Sequence, residues 1–512
     1  MKHKELHIVI GGGIAGCLSA IFRRRAGYQV VLLEKQQSQS PGAYPICTQT
    51  SNIVSENHSG AEYPFDPQSA RDCLDGRIEN ERLFPEVIYG GKTYSRIIAS
   101  RSMMDDGHDI VGQCRANMEV IRSHYAKRWA EDSANAVFGL PSEVCREVAT
   151  VEGVNDVAAA FITPQRGMNP VFVSSVLEWE LKRCGVEFRQ GSSVTALTRV
   201  SDGKYRVDFE NADRKLESLI ADQVSLCSAI PSFRMARMLN PSLEFPKIFM
   251  ALRAILYVDL PDGTDKNFSC LKLEDSYGGM LSPLNEHCAL IYHPPAAHIM
   301  NIVMDPDSCR FPNEYVRYLA HGTPESGERA RQTLRRLRDF YPELRRSQIL
   351  GMYLKVAINT VEDSRVRRNI GVFSVRPGCT MTVLPKWTMC AVNVKKELAL
   401  ALDHSISAGN LEPEEARELR LRAASHRLEA PADWIGNPET LTAYANKHAV
   451  NMRVPKVLAI PMRSRVPRTW FHQIGSRSTI RAWRQEEQGA RFEGHPFGPR
   501  MPADRLYTES KR

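Results

Sequence analysis

No apolar run in this 512-residue chain reaches the ~18–20 residues that a membrane-crossing helix requires. That excludes a helical membrane span. CxxC pairs are absent, and no cysteine stands at metal-ligand spacing from a histidine. The twelve cysteines, scattered from Cys17 to Cys390, therefore read as reduced thiols in small core positions, not as a zinc site or a disulfide framework. Internal repeats and low-complexity tracts are missing too. The first apolar strand begins at Leu6, so no cleavable signal is expected and the cytoplasm is the expected compartment. Most of the chain also lacks a charge bias. Residues 453–512 hold 13 Lys+Arg against 5 Asp+Glu, which leaves 54 against 54 in the rest. The surplus of +8 belongs to the C-terminal segment and says nothing about the body.

What is present is most informative at the start. Leu6 to Ile10 is apolar and runs into Gly11-Gly12-Gly13-Ile14-Ala15-Gly16, then a helix, a second strand from Val30, and Glu34. Gly11 allows a tight turn, Gly13 lets backbone approach a pyrophosphate, and Gly16 lets helix pack on strand. The helix N-terminus, opening at Ile14 and Ala15, offers N–H groups and partial positive charge to phosphates. Glu34, with Lys35 behind it, suits the hydroxyls of an adenosine ribose. The spacing predicts a dinucleotide site.

Length and 43% hydrophobic content support a large core and two domains, one of them discontinuous. Val111, Cys114, Met118, Ile121, Tyr125 and Trp129 mark the buried face of a helix. Asn169 as N-cap and Pro170 at the first helical position predict another, ending near Arg183. Strand, hairpin around Ser201–Lys204, and the strand DQVSLCSA follow. That order, helix then strand, hairpin and strand, favours FAD over NAD, because a plain NAD domain continues with parallel units. Antiparallel strands are expected from Leu252 to Met304, as a sheet roofing a cofactor. Residues 324–347 read as an arginine-rich helix with a solvated face.

With the fingerprint, the Asn169-Pro170 helix and the Leu384-Pro385-Lys386 segment in hand, the chain resembles the D-amino-acid oxidase superfamily of flavoproteins over roughly residues 5 to 400. The resemblance implies an α/β (α+β overall) architecture. A two-part, Rossmann-like FAD domain (1–75, 150–240, 366–405) would interleave with a mixed or antiparallel substrate domain (76–149, 241–365), followed by a basic extension (406–512). It implies hydride transfer from a C–N or C–O carbon of a small amine or hydroxy acid to flavin N5, with oxygen, a quinone or another acceptor. Gly11, Gly13, Ile14, Ala15, Gly16, Glu34 and Lys35 would hold the ADP half. Val194 would meet the adenine, and Ser51-Asn52 the pyrophosphate or ribityl chain. His58 would lie beside the isoalloxazine, and Leu384, Pro385 and Lys386 at its pyrimidine edge. Ser228 and Gly378 would complete the lining. Two departures stand out. Cys227-Ser228-Ala229 lacks the usual Ala-Thr-Gly or Ala-Gly step, and the sequence after Leu400 has no counterpart.

For chemistry, Lys386 or the helix start at Trp387 could supply positive charge near flavin N1, or stand in a surface turn. Arg376, after VFSV, and Arg253, in LRAIL, are rival clamps for a substrate carboxylate. His58 is a base, a flavin tether or a loop histidine. Tyr277 and Tyr292-His293 either cover the ring or pack within a sheet. The tail, with Trp470, Phe471, Trp483, Phe492 and Phe497, packs on the body or a second subunit, docks an acidic carrier, or binds single-stranded nucleic acid or an anionic surface. A flavin monooxygenase or halogenase, and a non-catalytic flavin-binding protein acting through its tail, are the alternative functions.

Overall fold

The computed structural model describes residues 5–460 apart from 49–55, 91–92, 106, 108, 150, 247, 265–270, 274–278, 305–323, 361–370, 385, 453 and 455. Strand β1 (Leu6–Ile10) leads into helix α1 (Ile14–Arg25) and strand β2 (Gln29–Glu34). β1 lies parallel between β2 and the strand Gln223–Leu226. A six-stranded sheet grows outward from this centre. Glu187–Gln190 joins β2 in parallel, and on the other side Cys379–Val383 and then Gly371–Arg376 close the edge. β1 and β2 read as nearly continuous apolar runs because α1 and the helix Cys390–Ser407 cover one face. The other face rests on the hairpin strands and the helix Ile230–Leu239.

The capping signals hold. Asn169 caps Pro170–Cys184, its side chain accepting the Val171 N–H. The periodic helix spans Ile110–Glu131 and buries Val111, Cys114, Met118, Ile121 and Tyr125, with Trp129 against the same cluster.

A nine-stranded, largely antiparallel sheet forms the roof. Its long strands Ile248–Asp259 and Ile349–Thr360 pair antiparallel, and Cys288–Tyr292 flanks the first. Alternation divides its residues. Ile255, Tyr257, Cys288 and Leu290 join the core that contains α1, while Leu256, Val258, Ala289 and Ile291 join the layer beneath the helix Pro324–Phe340. That helix ends at Phe340, and its Ala330, Leu334 and Leu337 are buried. The sequence reading registered its arginines and missed the apolar stripe on the opposite side.

Beyond Leu400 the chain folds back onto the body. The helix Pro438–Asn451 docks against Pro170–Cys184 through Glu178. The Glu178 carboxylate meets His448 Nε2 at 3.0 Å and the Tyr444 hydroxyl at 3.0 Å, and accepts the Tyr44 N–H at 2.9 Å and a proton of Lys182. Burial pushes its pKa up, but the imidazole and the other donors outweigh that and hold it at about 2. Val457, Leu458 and Ile460 then enter the main core. Asn169 donates to Leu458 O and Asn285 to Val457 O, both at 2.6 Å, so this segment ties the cofactor-side helix to the roof. Residues 461–512, including Trp470, Phe471 and Trp483, lie outside the described residues. The ten described cysteines are free thiols. Among the described residues no helix is long and apolar enough to cross a membrane.

Candidate active site

The turn after β1 is built by contact. Gly11 has φ +111°, and a Cβ there would stand 2.8 Å from Cys227 O. A Cβ on Gly16 would stand 1.8 Å from Gly11 O, which only glycine avoids. α1 is capped by half-buried Gly13 with no side-chain acceptor, and no acid occupies its first turn. The N–H groups there are left for an external anion. Glu34 sits at the end of β2, its Oε2 accepting the Gly12 N–H at 2.5 Å and its Oε1 the Gln36 N–H at 2.7 Å. Burial raises the Glu34 pKa, against the pull of those N–H donors. Lys35 points outward. Ser192 donates to Glu34 O at 2.8 Å, which brings half-buried Val194 beside the same strand end. Ser228 closes the far wall, its N–H bound to Ser232 Oγ at 2.9 Å. Ala229 follows with φ +55° and ψ −120°, a conformation glycine adopts without strain. The donors, the glycine cradle and the carboxylate together fit the ADP half of a dinucleotide.

A second constellation assembles across 330 residues of chain. The His58 N–H donates to Thr388 Oγ1 at 2.8 Å. Asn80 ties Asn57 Oδ1 and Thr388 O together at 3.0 and 2.9 Å. Lys386, 5% exposed, reaches back to Cys73 Sγ at 3.6 Å and stands 4.0 Å above the Tyr63 ring. Burial drives the Cys73 thiol up to about 11, which the Lys386 ammonium moderates. Lys386 is therefore an interior cation and not a surface-turn lysine. His58 Nδ1 stands 2.7 Å from Glu62 Oε1 and 3.6 Å from Glu56 Oε2.

Residues 7–354 match the family described as FAD dependent oxidoreductase (DAO). The chain belongs to this family. No curated protein sequence matches it. Solved structures with the same fold include L-amino acid deaminase from Proteus myxofaciens, at 16% identity and TM-score 0.53, covering 81% of this chain and 92% of that one. L-alpha-glycerophosphate oxidase from Mycoplasma pneumoniae, with FAD bound, aligns at 14% identity and TM-score 0.52, covering 78% and 94%. L-proline dehydrogenase from P. horikoshii aligns at 12% and 0.51, covering 84% and 100%. The cofactor is FAD, and this chain is an FAD-dependent oxidoreductase.

Within this DAO-family fold the expected site residues separate into groups. The dinucleotide set gathers at the carboxyl ends of the parallel strands. Leu384 lies at the same edge, following Val383, and packs in the core with Trp387. His58 and Lys386 flank the same Tyr63 ring, and His58 is tied by hydrogen bond to Thr388, two residues from Lys386. Arg376 and Gly378 fall elsewhere. Val224, early in its strand, pairs with Cys379, and Gly378 O accepts the Val224 N–H, so both residues stand at the opposite end of the sheet from Gly11. Exposed Arg376 donates to Leu239 O at 2.9 Å, capping a helix end. An antiparallel edge strand reverses direction, which the expectation from VFSV had not included. Arg253 takes the other path. By alternation it shares the face of Ile255 and Tyr257, toward the cofactor-side core, and its guanidinium stands 5.8 Å from the Tyr292 ring centroid. Ser51, Asn52, Tyr277 and Pro385 lie outside the described residues. The sequence reading missed Glu56, Glu62, Tyr63 and Gln165. Three of these lie in ENHSGAEY beside His58, where two acids flanking one histidine were the available signal.

Proposed function

We propose that this DAO-family oxidoreductase oxidises a small amine or hydroxy acid carrying a carboxylate, which the roof sheet holds. The observation that carries this reading is a pair of phenols. The Tyr257 and Tyr292 hydroxyls are buried and have no hydrogen-bond partner among the described residues. They share a face with Arg253. A guanidinium offers two parallel N–H bonds to a carboxylate, and phenol O–H groups add two more donors. Bound FAD supplies a hydride acceptor. In this reading Arg253 and the tyrosines orient the substrate carbon. His58 takes or holds a proton at Nε2, and Lys386 places a fixed positive charge beside the ring site. Electrons pass on to oxygen, a quinone or another acceptor.

The test is anaerobic addition of amino acids and 2-hydroxy acids to purified enzyme while its flavin absorbance is followed. Bleaching by a carboxylate-bearing substrate is the expected result. Arg253→Ala is expected to raise the half-saturating concentration roughly 10- to 100-fold with FAD content intact, and Arg376→Ala to leave it unchanged. Equal effects at both arginines, or no bleaching by any substrate, overturn the reading.

A further inference from the structure

The short ladder beside the ring site contains polar atoms that the protein itself leaves unsatisfied. Glu56–Asn57 pairs antiparallel with Arg166–Gly167, Glu56 opposite Gly167 and Asn57 opposite Arg166. Paired residues share a face and neighbours alternate. One face packs on Tyr89. Arg166 stacks 4.3 Å over Tyr89, and Asn57 donates to the Tyr89 hydroxyl at 3.1 Å. The other face carries Glu56 and, continuing the alternation, His58 and Gln165. Gln165 is fully buried, yet neither of its amide atoms has a hydrogen-bond partner among the described residues, and Glu56 Oε1 has none either. Buried polar atoms without partners need an explanation, and a bound ion is one that suits atoms beside a pair of acids.

The geometry of the acids identifies that ligand's class. The Glu56 and Glu62 side chains are each only 4% exposed, and their oxygens and His58 Nδ1 all lie within 4.8 Å of one another. His58 Nδ1 comes close to both carboxylates without hydrogen-bond geometry to either. Two carboxylates and an imidazole this close form a donor set that one cation can bridge.

We propose that Glu56, His58 and Glu62 form a divalent metal site of the zinc class, with the Gln165 amide beside it as a further oxygen donor. One imidazole with two carboxylates suits a borderline cation such as Zn²⁺ and offers too few oxygens for Ca²⁺. Neighbouring donors around a four-coordinate zinc stand about 3.3 Å apart, and the imidazole–carboxylate distances of 2.7 and 3.6 Å bracket that spacing. The cation takes the place of the Nδ1 proton, leaving Nε2 free for the role proposed above. The site does not depend on that role.

The test uses full-length, FAD-loaded protein stripped with chelator and titrated with zinc chloride by calorimetry, in two buffers of different ionisation enthalpy. Expected are one zinc per chain, proton release on binding, and at least hundredfold weaker binding of Mg²⁺ and Ca²⁺. Glu56→Gln and Glu62→Gln should each weaken zinc at least tenfold while flavin absorbance and the thermal midpoint stay near wild type. X-ray absorption on the zinc-loaded wild type provides a check that needs no variant. Light-atom scattering with an imidazole signature supports the site, and a sulfur shell near ~2.3 Å assigns the metal to cysteine and overturns it. Absence of stoichiometric zinc, or wild-type affinity in both glutamine variants, overturns it as well.

Discussion

Two buried glutamates, Glu397 and Glu56, sit in the same fold in opposite states. Glu397 Oε1 meets Arg23 at 2.5 Å and also accepts from Thr380 at 2.9 Å and from Ser225, while its Oε2 accepts from Ser19 at 2.7 Å. Burial pushes the Glu397 pKa up, but Arg23 and the hydroxyls hold it below the usual value. Glu56 faces His58 on one side and has an oxygen without a hydrogen-bond partner among the described residues. The first carboxylate is enclosed by partners from α1, the Gln223–Leu226 strand and the Cys379–Val383 strand, so it pins a helix to the sheet. The second is held by the fold and left open. A carboxylate whose oxygens are both engaged by neighbouring elements acts as a structural tie, and one with an open oxygen is a place for a water, an ion or a ligand.

That contrast is broken most directly by deletion. Arg23→Ala leaves Glu397 as an uncompensated buried charge and should cost ~3–5 kcal/mol of stability. Glu56→Gln, which removes a charge from an unsaturated pair, should cost under about 1 kcal/mol. Denaturant unfolding of both proteins decides, and equal losses would erase the distinction. Glu34 extends the comparison to the cofactor. Its carboxylate accepts backbone N–H groups of Gly12 in the glycine turn and of Gln36, so Glu34→Ala should weaken FAD by ~1–3 kcal/mol, read by fluorescence titration, while the apoprotein melts almost as before.

Glu178 sharpens the case by pH. Its folded pKa of about 2 lies below the ordinary glutamate value of 4.5, so its stabilisation is complete above that unfolded value. It is lost as pH falls through the folded one. The contribution should be about 1–3 kcal/mol, and the acid dependence of the thermal midpoint should be shallower in Glu178→Gln than in wild type. A small gain is expected at Ala229, whose φ of +55° strains a residue bearing a Cβ. Ala229→Gly should raise stability by about 1 kcal/mol. A loss there would mean that the missing glycine step costs nothing.

The legible parts were those specified by short stretches of chain. The Gly11–Gly16 turn, Glu34 at the end of β2, the Asn169 cap and the stripe from Val111 to Tyr125 follow from backbone sterics and helical periodicity, which neighbouring residues specify. The arginine-rich helix was half legible, because its exposed face is obvious and its buried face is three residues wide. The resemblance to the oxidase superfamily extended the reading to His58 and Lys386; the acids around His58 stood in ENHSGAEY, whereas the approach of Lys386 to Tyr63 and Cys73 was not visible in the sequence.

Sequence alone determined that a dinucleotide turn opens the chain and that an acid closes its second strand. Sequence also separated the neutral body from the basic segment after residue 452. Tertiary structure decided which residues share a site. The antiparallel edge strand carried Arg376 to the far end of the sheet, and the pleat of the roof turned Arg253 toward the cofactor side. The His58–Thr388 hydrogen bond joined loops 330 positions apart, and Glu178 drew the C-terminal helix onto the body. Strand direction, register and long-range pairing depend on the whole chain closing on itself, so no local stretch encodes them.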